Sequence, residues 1–525
     1  MSMLLSRASA VLDRLYFPLC LLLCAALAYD HFQLVTYPIP LDRNEAGMLS
    51  ITDTIAAGEN PYSLHNQPYR ASVYPVLYNI IVAPLSLAFG NTLVLHRVVA
   101  ALFILASCVL VFSVTRRAGG SARNSLAAAA LFYAGLLYYS TPIASPNSTG
   151  ILLFLLSIFV PWYYAFTNRS LVAALVLGVL AFYGKQYFVA SLGFVSLYLF
   201  LAISKKKALI FGFSALLLFS LSIAIANYTS PYFLDNTLFS VKAATGFVAS
   251  DEALYKQLIG YASINLSLLI VVVLLAFKKL RRHVERPHIR GLFNFRSMNL
   301  PLLNRSPDYV WFCLACSLLV IFSVADNKGN YLTYLFQFLS PFLLIGTLVG
   351  VSRLDNIKWL AQLLVIVAFY SSYTMLSHNY SVDEKNWARL QQEISSGKEI
   401  YGSTLTLVQI LKDGGQVYQN GHTPYTRFAI WKPPFLKRDN PQERAEAVWG
   451  NYVATIYAKI ESKEFDLVIL DERTKLPKAQ SISNAHLNGV AFLTQYYRIR
   501  EVIPLHLAKR HGGGKLNIEI WEPIP

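Results

Sequence analysis

Charged residues are scarce in this sequence. Only 14% of its 525 residues are Asp, Glu, Lys or Arg, whereas a soluble domain usually carries about 25%. Hydrophobic residues make up 55% of the chain, and the mean hydropathy is +0.44. A chain of this length with so little charge is predicted to be a polytopic membrane protein.

Acidic residues are scarcer than basic ones, 29 against 45, which gives a formal net charge of +16. Such an excess would suit a nucleic-acid partner. Many of the basic residues, however, stand in short clusters between apolar runs, and this placement is typical of cytoplasmic loops. We therefore predict membrane lipids, and no nucleic acid, as partners.

Several motifs of soluble enzymes are missing. The sequence has no G-x-x-x-x-G-K-[ST], no G-x-G-x-x-G after a strand and no H-E-x-x-H, which excludes the common nucleotide-binding and zinc-protease motifs. The five cysteines lie in apolar segments and are interpreted as small hydrophobic residues without a disulfide framework. We predict no cofactor and no metal ligands, with a divalent metal as an open alternative.

Apolar windows of about 15–20 residues recur over the first part of the chain, long enough for membrane-spanning helices. They predict about eleven spans, of which 170–184 is the shortest: 16–34, 94–114, 124–142, 149–167, 170–184, 186–204, 207–226, 260–278, 309–325, 331–350 and 359–377.

One apolar stretch, residues 73–90, is predicted to lie in the membrane interface instead of crossing it, because it contains Pro75 and Pro84 together with Tyr and Asn. With this juxtamembrane helix on the outer surface, basic residues concentrate in the loops on the N-terminal side of the membrane. The positive-inside rule then places the N-terminus in the cytoplasm and the tail outside. A bacterial inner membrane with a periplasmic tail is the predicted location, and an endoplasmic reticulum membrane has the same topology.

This topology divides the chain into two domains. Residues 1–377 form a mainly α-helical membrane bundle, and residues 378–525 form an outer soluble α/β domain. In the tail, "KEFDLVILDE" predicts a buried strand, and "EIYGSTLTLVQILKDGGQVYQNG" predicts a helix, a turn and a strand. Within the membrane domain, the connecting segments are a first outer loop 35–93, a second outer loop 227–259 and a cytoplasmic loop 278–308.

Polar and ionisable residues crowd the outer boundary of the predicted bundle. Lys185 is the most unusual of them, because it stands in a very short turn between two apolar spans, where a charge is costly unless it has a partner or a role. Alternatively, Lys185 is a snorkelling lysine and Asn147 an ordinary turn residue. The other residues at this boundary are Asp42, Glu45, Asp53, Gln186, Asn330, Tyr331 and Tyr334.

A carboxylate facing a cation across an outer cavity is what glycosyl transfer from a lipid phosphate requires. The carboxylate would accept the proton of an acceptor hydroxyl that attacks the sugar carbon. The phosphate that leaves is already a good anion, so it needs positive charge, which Lys185 can supply.

Several segments, in order, resemble the polytopic glycosyltransferases of the C superfamily, which include protein mannosyltransferases and the aminoarabinose transferase of lipid A. They are "NEAGMLSITDTIAAGENPYS", "YRASVYPVLYNIIVAPLSLAFG" followed by Arg97, "SPNS", "GKQYF", "GNYLTYLFQFLSP" and the tail with "FDLVILDE". The resemblance implies an inverting enzyme with a polyprenyl-phosphate sugar donor and a lipid, glycan or protein acceptor.

The resemblance also implies roles for individual residues. The family's Asp-Glu pair is replaced here by Asn44-Glu45, so the catalytic carboxylate is Glu45 or, alternatively, Asp42. Lys185, Arg97 and Arg70 are predicted to bind the donor phosphate, with snorkelling as the alternative for both arginines. The predicted substrate cavity contains Asn44, Tyr62, Tyr74, Asn147, Gln186, Asn330 and Tyr331.

Two other functions remain open at this point. A transporter or flippase of lipid-linked sugars would favour repeated halves and broken helices with charge in mid-membrane, and the sequence shows neither pattern. An inactive assembly subunit that keeps the fold is the other alternative, because the Asp of the Asp-Glu motif is missing.

Overall fold

A computed structural model gives the fold of the chain. It describes residues 2–41, 43–63, 66, 69–70, 72–139, 144–239, 251–284, 308–323, 331–352, 354, 357–375, 383–395, 398–403, 405–418, 441–471, 489–506 and 515–525. Residues 285–307 of the predicted cytoplasmic loop 278–308 lie outside these residues.

The described chain is mainly helical, as the sequence predicts. Its α-helices are α1 (Ser2–Thr36), α2 (Arg43–Ala56), α3 (Leu77–Phe89), α4 (Leu93–Arg117), α5 (Ala122–Tyr139), α6 (Asn147–Tyr163), α7 (Asn168–Gly184), α8 (Ala190–Tyr198), α9 (Lys205–Thr229), α10 (Asp251–Ile264), α11 (Leu266–Val284), α12 (Asp308–Ser323), α13 (Tyr331–Phe338), α14 (Ser340–Val351), α15 (Lys358–Met375), α16 (Glu384–Ile394), α17 (Leu407–Lys412), α18 (Pro441–Glu461) and α19 (Gly489–Tyr496). A 3₁₀ helix, Gln186–Val189, precedes α8, and π-helical turns cover Leu199–Ile203 and Asp235–Phe239.

Within the described residues, four helical segments are long and apolar enough to cross a membrane, which supports the prediction of a membrane protein. They are Ala10–Thr36, Leu93–Arg117, Gln186–Ile203 and Lys205–Thr229. A bent pair, Tyr255–Ile264 and Leu266–Lys278, raises the count to five if it is one span. The count of eleven is not supported, because other predicted spans are helices too short to qualify, such as the 17-residue α6 and α7.

Two of the predicted spans are broken. The segment 260–278 bends by 80° between α10 and α11, at Asn265. The segment 331–350 divides into α13 and α14 at Leu339. The uninterrupted helices expected for these two segments are therefore wrong.

The stretch predicted to lie in the interface contains α3, a helix of 13 residues with Pro84 inside it. At 1.5 Å per residue it is about 20 Å long, shorter than the hydrocarbon core of a bilayer. It packs against α2 and α4, and Asn79 of α3 donates to the Met48 carbonyl and to Thr52 of α2 at 2.9 Å. The two short helices α2 and α3 thus form one unit beside the N-terminal end of α4.

The C-terminal part contains a four-stranded sheet with strand order β1-β2-β4-β3. Its strands are β1 (Ile400–Tyr401), β2 (Leu467–Asp471), β3 (Tyr497–His506) and β4 (Lys515–Pro523); β1 pairs parallel with β2, and the other pairs are antiparallel. The buried strand predicted in "KEFDLVILDE" is confirmed, since every residue of β2 is buried. In the other tail segment the helix is confirmed as α17, but the strand β1 precedes it, whereas the sequence predicts a strand after it.

The core of the sheet extends into the first outer loop. Tyr37, Ile39 and Ala46 are buried in one hydrophobic cluster with Trp387 of α16 and with strand residues such as Ile518. On the other side of the sheet, Tyr69 packs edge-on against Tyr418 and Tyr452, with ring centroids 6.1 and 5.5 Å apart. The first outer loop therefore lies between the helical bundle and the C-terminal sheet and packs against both.

Candidate functional site

The first outer loop is anchored by a buried ion pair between Glu45 and Arg97. Glu45 lies in the first turn of α2, where the helix dipole favours a carboxylate. Arg97 lies in α4 and donates from Nε to Oε1 at 2.8 Å and from Nη2 to Oε2 at 2.7 Å. Neither side chain is exposed. The geometry is a bidentate charge-assisted pair, the strongest form of carboxylate recognition by arginine.

Backbone carbonyls and amides form further hydrogen bonds with both side chains of this pair. Arg97 also donates to the carbonyls of Leu34, Tyr37 and Ile39, so all five guanidinium N–H groups are bonded. Glu45 also accepts the Leu41 and Ala144 amides at 2.7 and 2.9 Å.

The pair therefore ties the end of α1, the first outer loop and the segment that leads into α6. The sequence predicted separate roles for the two residues, a base and a phosphate ligand. The structure brings them together as each other's partners, with no side chain surface left on either of them.

Lys185 is a second buried cation, and it is bound differently. Its Nζ donates to Asn147 Oδ1 at 2.7 Å and lies 5.3 and 5.4 Å from the ring centroids of Tyr74 and Tyr334. Within the part of the chain that is described, no carboxylate pairs with it. Burial lowers the pKa of Lys185 to about 8, because removal from water disfavours the charged ammonium.

Two glycines bring Lys185 to Asn147. Gly184 ends α7, and Gly150 lies in the first turn of α6. A Cβ at Gly184 would meet the Gly150 Cα at 2.8 Å, and a Cβ at Gly150 would meet the Phe188 ring at 2.4 Å. Only residues without side chains allow the two backbones to approach this closely. The residue after Gly184 and the residue that begins α6 consequently lie within hydrogen-bonding distance.

Gln186 joins both outer loops beside Lys185. Its Nε2 donates to the Val73 carbonyl of the first loop at 3.0 Å and to the Thr237 carbonyl of the second at 2.8 Å. Tyr62 donates to the Tyr74 carbonyl at 2.7 Å, and its ring contacts Phe233 at 5.3 Å between centroids.

Four predicted cavity residues, Tyr62, Tyr74, Asn147 and Gln186, thus lie around Lys185. The first and second outer loops contact each other next to Lys185 through Gln186 and the Tyr62–Phe233 ring pair. The participation of these residues in substrate binding stays a prediction.

Other predicted site residues lie elsewhere or outside the described residues. Asn44 is half-buried next to Glu45 in α2. Arg70 is half-buried in the first loop and lies near Asp53; burial raises the pKa of Asp53, while Asn91 and the charge of Arg70 lower it. Asp42 and Asn330 are outside the described residues, and Tyr331 begins α13 with its side chain outside them.

Sequence reasoning missed a polar cluster inside the bundle. Asp30 and His31 are buried in α1, and His31 Nδ1 lies 2.6 Å from the hydroxyl of Tyr133 in α5. An Asp-His pair in an apolar run was the available signal, since ionisable residues within a span are functional candidates. Asp235 was missed as well; it is buried in a π-helical turn, an irregularity frequent at functional sites.

No protein-family model and no curated protein sequence matches this chain. Among the described residues, no group of three or more His, Cys, Asp and Glu side chains could hold a metal ion. The resemblance and the residue roles it implies therefore stay predictions.

Proposed function

We propose that this chain is an integral-membrane inverting glycosyltransferase that transfers a sugar from a polyprenyl-phosphate donor to an acceptor hydroxyl at the outer face of the membrane. The observation that carries the proposal is the buried ammonium of Lys185, which has an amide oxygen and two tyrosine rings around it but no carboxylate partner among the described residues. An isolated buried charge is costly. The phosphate of a lipid donor would supply the missing negative charge.

The reaction proposed at this site is a single displacement. The acceptor oxygen forms a bond to the anomeric carbon, the bond from that carbon to the phosphate oxygen breaks, and the phosphate leaves with the electron pair. The hydroxyl proton passes to a carboxylate. Lys185 stabilises the negative charge that develops on the leaving phosphate. Attack from the opposite face inverts the anomeric centre.

Glu45 and Asp42 are the candidates for the base. Glu45 accepts four hydrogen bonds, so that it could accept a proton only if Arg97 or an amide released it. This arrangement favours a positioning role for Glu45. Asp42 is the alternative base; it directly follows Leu41 in the sequence, and the Leu41 amide donates to Glu45.

We propose the predicted topology with this function: eleven spans, a cytoplasmic N-terminus, a periplasmic domain at 378–525, and a bacterial inner membrane as the location. Helices occupy most of the described residues of each predicted segment, and we count the short helices α6 and α7 and the broken segments 260–278 and 331–350 as spans. Arg97 and Arg117 lie near opposite ends of α4, so the Lys185 site and the basic loops belong to opposite faces. The acceptor is a lipid, a glycan or a protein.

One observation favours a transporter of lipid-linked sugars instead. The 80° bend between α10 and α11 is the kind of discontinuity that transporters place at their binding sites. An inactive assembly subunit is the third candidate. Both alternatives predict no sugar transfer by the purified protein.

The test is sugar transfer in membranes supplied with a panel of radiolabelled polyprenyl-phosphate sugars. Wild type is compared with Lys185→Met, with Glu45→Gln and Asp42→Asn, and with Lys256→Met as a matched lysine of the second outer loop. We expect transfer by wild type and Lys256→Met, and loss in Lys185→Met and in one of the two carboxylate variants. No transfer with any donor by folded wild type would overturn the proposal.

A further inference from the structure

The end of the bundle opposite Lys185 has an exposed basic surface. From Arg97, α4 continues for about 30 Å to Arg117. There the turn between α6 and α7, residues 163–168, lies between the C-terminal end of α4 and the N-terminal end of α9. We name the exposed side chains of Arg117, Arg169, Lys205, Lys206 and Lys207 the basic patch.

Two cations of the patch bind the same turn. Arg117 Nη2 donates to the Tyr163 carbonyl at 3.0 Å, and its guanidinium lies 4.3 Å from the centroid of the Tyr163 ring. Lys207 Nζ donates to the Phe166 carbonyl at 3.5 Å. These contacts hold cations of α4 and α9 on either side of one turn, so the patch is a continuous surface and not a set of separate loops.

The cations of the patch lack ion-pair partners within the described part of the protein. None of the five cations forms an ion pair there, and the first turns of α7 and α9 carry no acidic residue. Arg169 and the three lysines stand in those first turns, where the helix dipole disfavours a cation. Repulsion among the cations adds to this cost, and an anionic ligand would relieve both.

An apolar surface continues directly from the patch. Lys205 Nζ lies 5.6 Å from the centroid of the Phe200 ring. Beyond it, Leu209 and Phe213 of α9 are 68% and 69% exposed. Only 17% of the apolar window of α9 is buried inside the protein, so this helix presents most of its surface to the surrounding medium.

We propose that the basic patch binds the headgroup of an anionic phospholipid, with its acyl chains along the exposed face of α9. The patch supplies positive charge for the headgroup. The exposed apolar face of α9 begins next to the patch, where the acyl chains would lie. A nucleic acid would match the charge but would leave the apolar surface uncovered. A zwitterionic lipid would cover that surface but would not neutralise the patch.

The test uses the purified full-length protein in detergent, titrated with phosphatidylglycerol or phosphatidylcholine, with retained lipids counted by native mass spectrometry. We expect wild type to retain phosphatidylglycerol preferentially. The Lys205→Gln/Lys206→Gln variant should lose about fivefold in phosphatidylglycerol affinity per lysine, and Arg169→Gln should add a similar loss.

The matched control is Lys385→Gln/Lys412→Gln, which removes two exposed lysines from the C-terminal part of the chain. It should retain phosphatidylglycerol as wild type does. Equal retention of the two lipids by wild type, an equal loss in the control, or displacement of phosphatidylglycerol by an RNA oligonucleotide would each overturn the inference. Sugar transfer is not part of this readout, so its result is independent of the proposed glycosyltransferase activity.

Discussion

Arg97 and Lys185 are both buried cations of the helical bundle, but their surroundings differ. Arg97 has a carboxylate and three backbone carbonyls as acceptors for its five N–H groups. Lys185 has one amide oxygen and the faces of two tyrosines. All hydrogen-bond donors of Arg97 have acceptors within the protein, which suits a structural anchor. Among the described residues, Lys185 has no carboxylate partner, which suits a binding group.

The largest expected effect is a loss of stability when the Glu45–Arg97 ion pair is broken. Arg97→Met leaves the Glu45 carboxylate buried without its cation, and removing one partner of a buried ion pair costs about 3–5 kcal/mol. We expect a large loss of thermal stability in detergent, with little folded protein recovered. The Glu45→Met/Arg97→Met variant should be more stable than Arg97→Met, and a double variant less stable than either single one would contradict this account.

Lys185→Met should lower the transfer rate without lowering stability, the opposite of what is expected for Arg97→Met. Loss of a preorganised charge at the leaving phosphate is expected to lower transfer about 100- to 1,000-fold. The folded protein should keep its stability or gain some, because no carboxylate of the described residues pairs with the buried ammonium. Melting temperature and transfer rate, measured on the same preparation, check this. If Lys185→Met unfolds at the same temperature as Arg97→Met, the proposed difference between the two cations is wrong.

A smaller effect is expected where the two glycines meet. Gly184→Ala places a Cβ at 2.8 Å from the Gly150 Cα, and overpacking of this kind costs about 1–3 kcal/mol. It should also separate Lys185 from Asn147 and weaken donor binding. Gly193→Ala is the matched control, because a Cβ there meets nothing within 4 Å, and alanine should stabilise α8 by about 0.5–1 kcal/mol.

The smallest effect expected on donor binding is its dependence on pH. The pKa of Lys185 is about 8 in the folded protein, below the value of about 10.4 for an unfolded lysine. Between these values the unfolded chain binds more protons, so stability should rise with pH across this window. Donor binding should instead weaken above pH 8 as the ammonium loses its charge. Titration of polyprenyl phosphate from pH 7 to 9 checks this, and Lys185→Arg should bind independently of pH over that range.

Sequence reasoning succeeded where a property is local. The apolar windows predict helices, the prolines predict the short α3, and the acids and Val-Ile run predict the buried strand β2. Lys185 was selected because a charge in a short turn between apolar runs is unusual, whereas Glu45 and Arg97 were selected through the family resemblance, and the roles of all three stay predictions.

It failed where a property depends on partners distant in the chain. Glu45 and Arg97 are 52 residues apart, and neither residue type indicates that it will find the other. The approach of Lys185 to Asn147 depends on Gly150 and Gly184, which sequence reasoning did not use. Asp30 and His31 were counted within the apolar span 16–34, because two polar residues change the mean hydropathy of a window only slightly.

The shared core of the first outer loop and the C-terminal sheet has a consequence for biosynthesis. Tyr37 and Ile39 leave the ribosome early, but their packing partners in α16 and the sheet begin at Trp387. At a synthesis rate of about 5–20 residues per second, these partners follow only after some tens of seconds. The loop that carries Glu45 is therefore completely packed only after the last part of the chain has been made. In a nascent or truncated chain Tyr37 and Ile39 lack these core partners, so the C-terminal sheet determines when the first outer loop reaches its final packing.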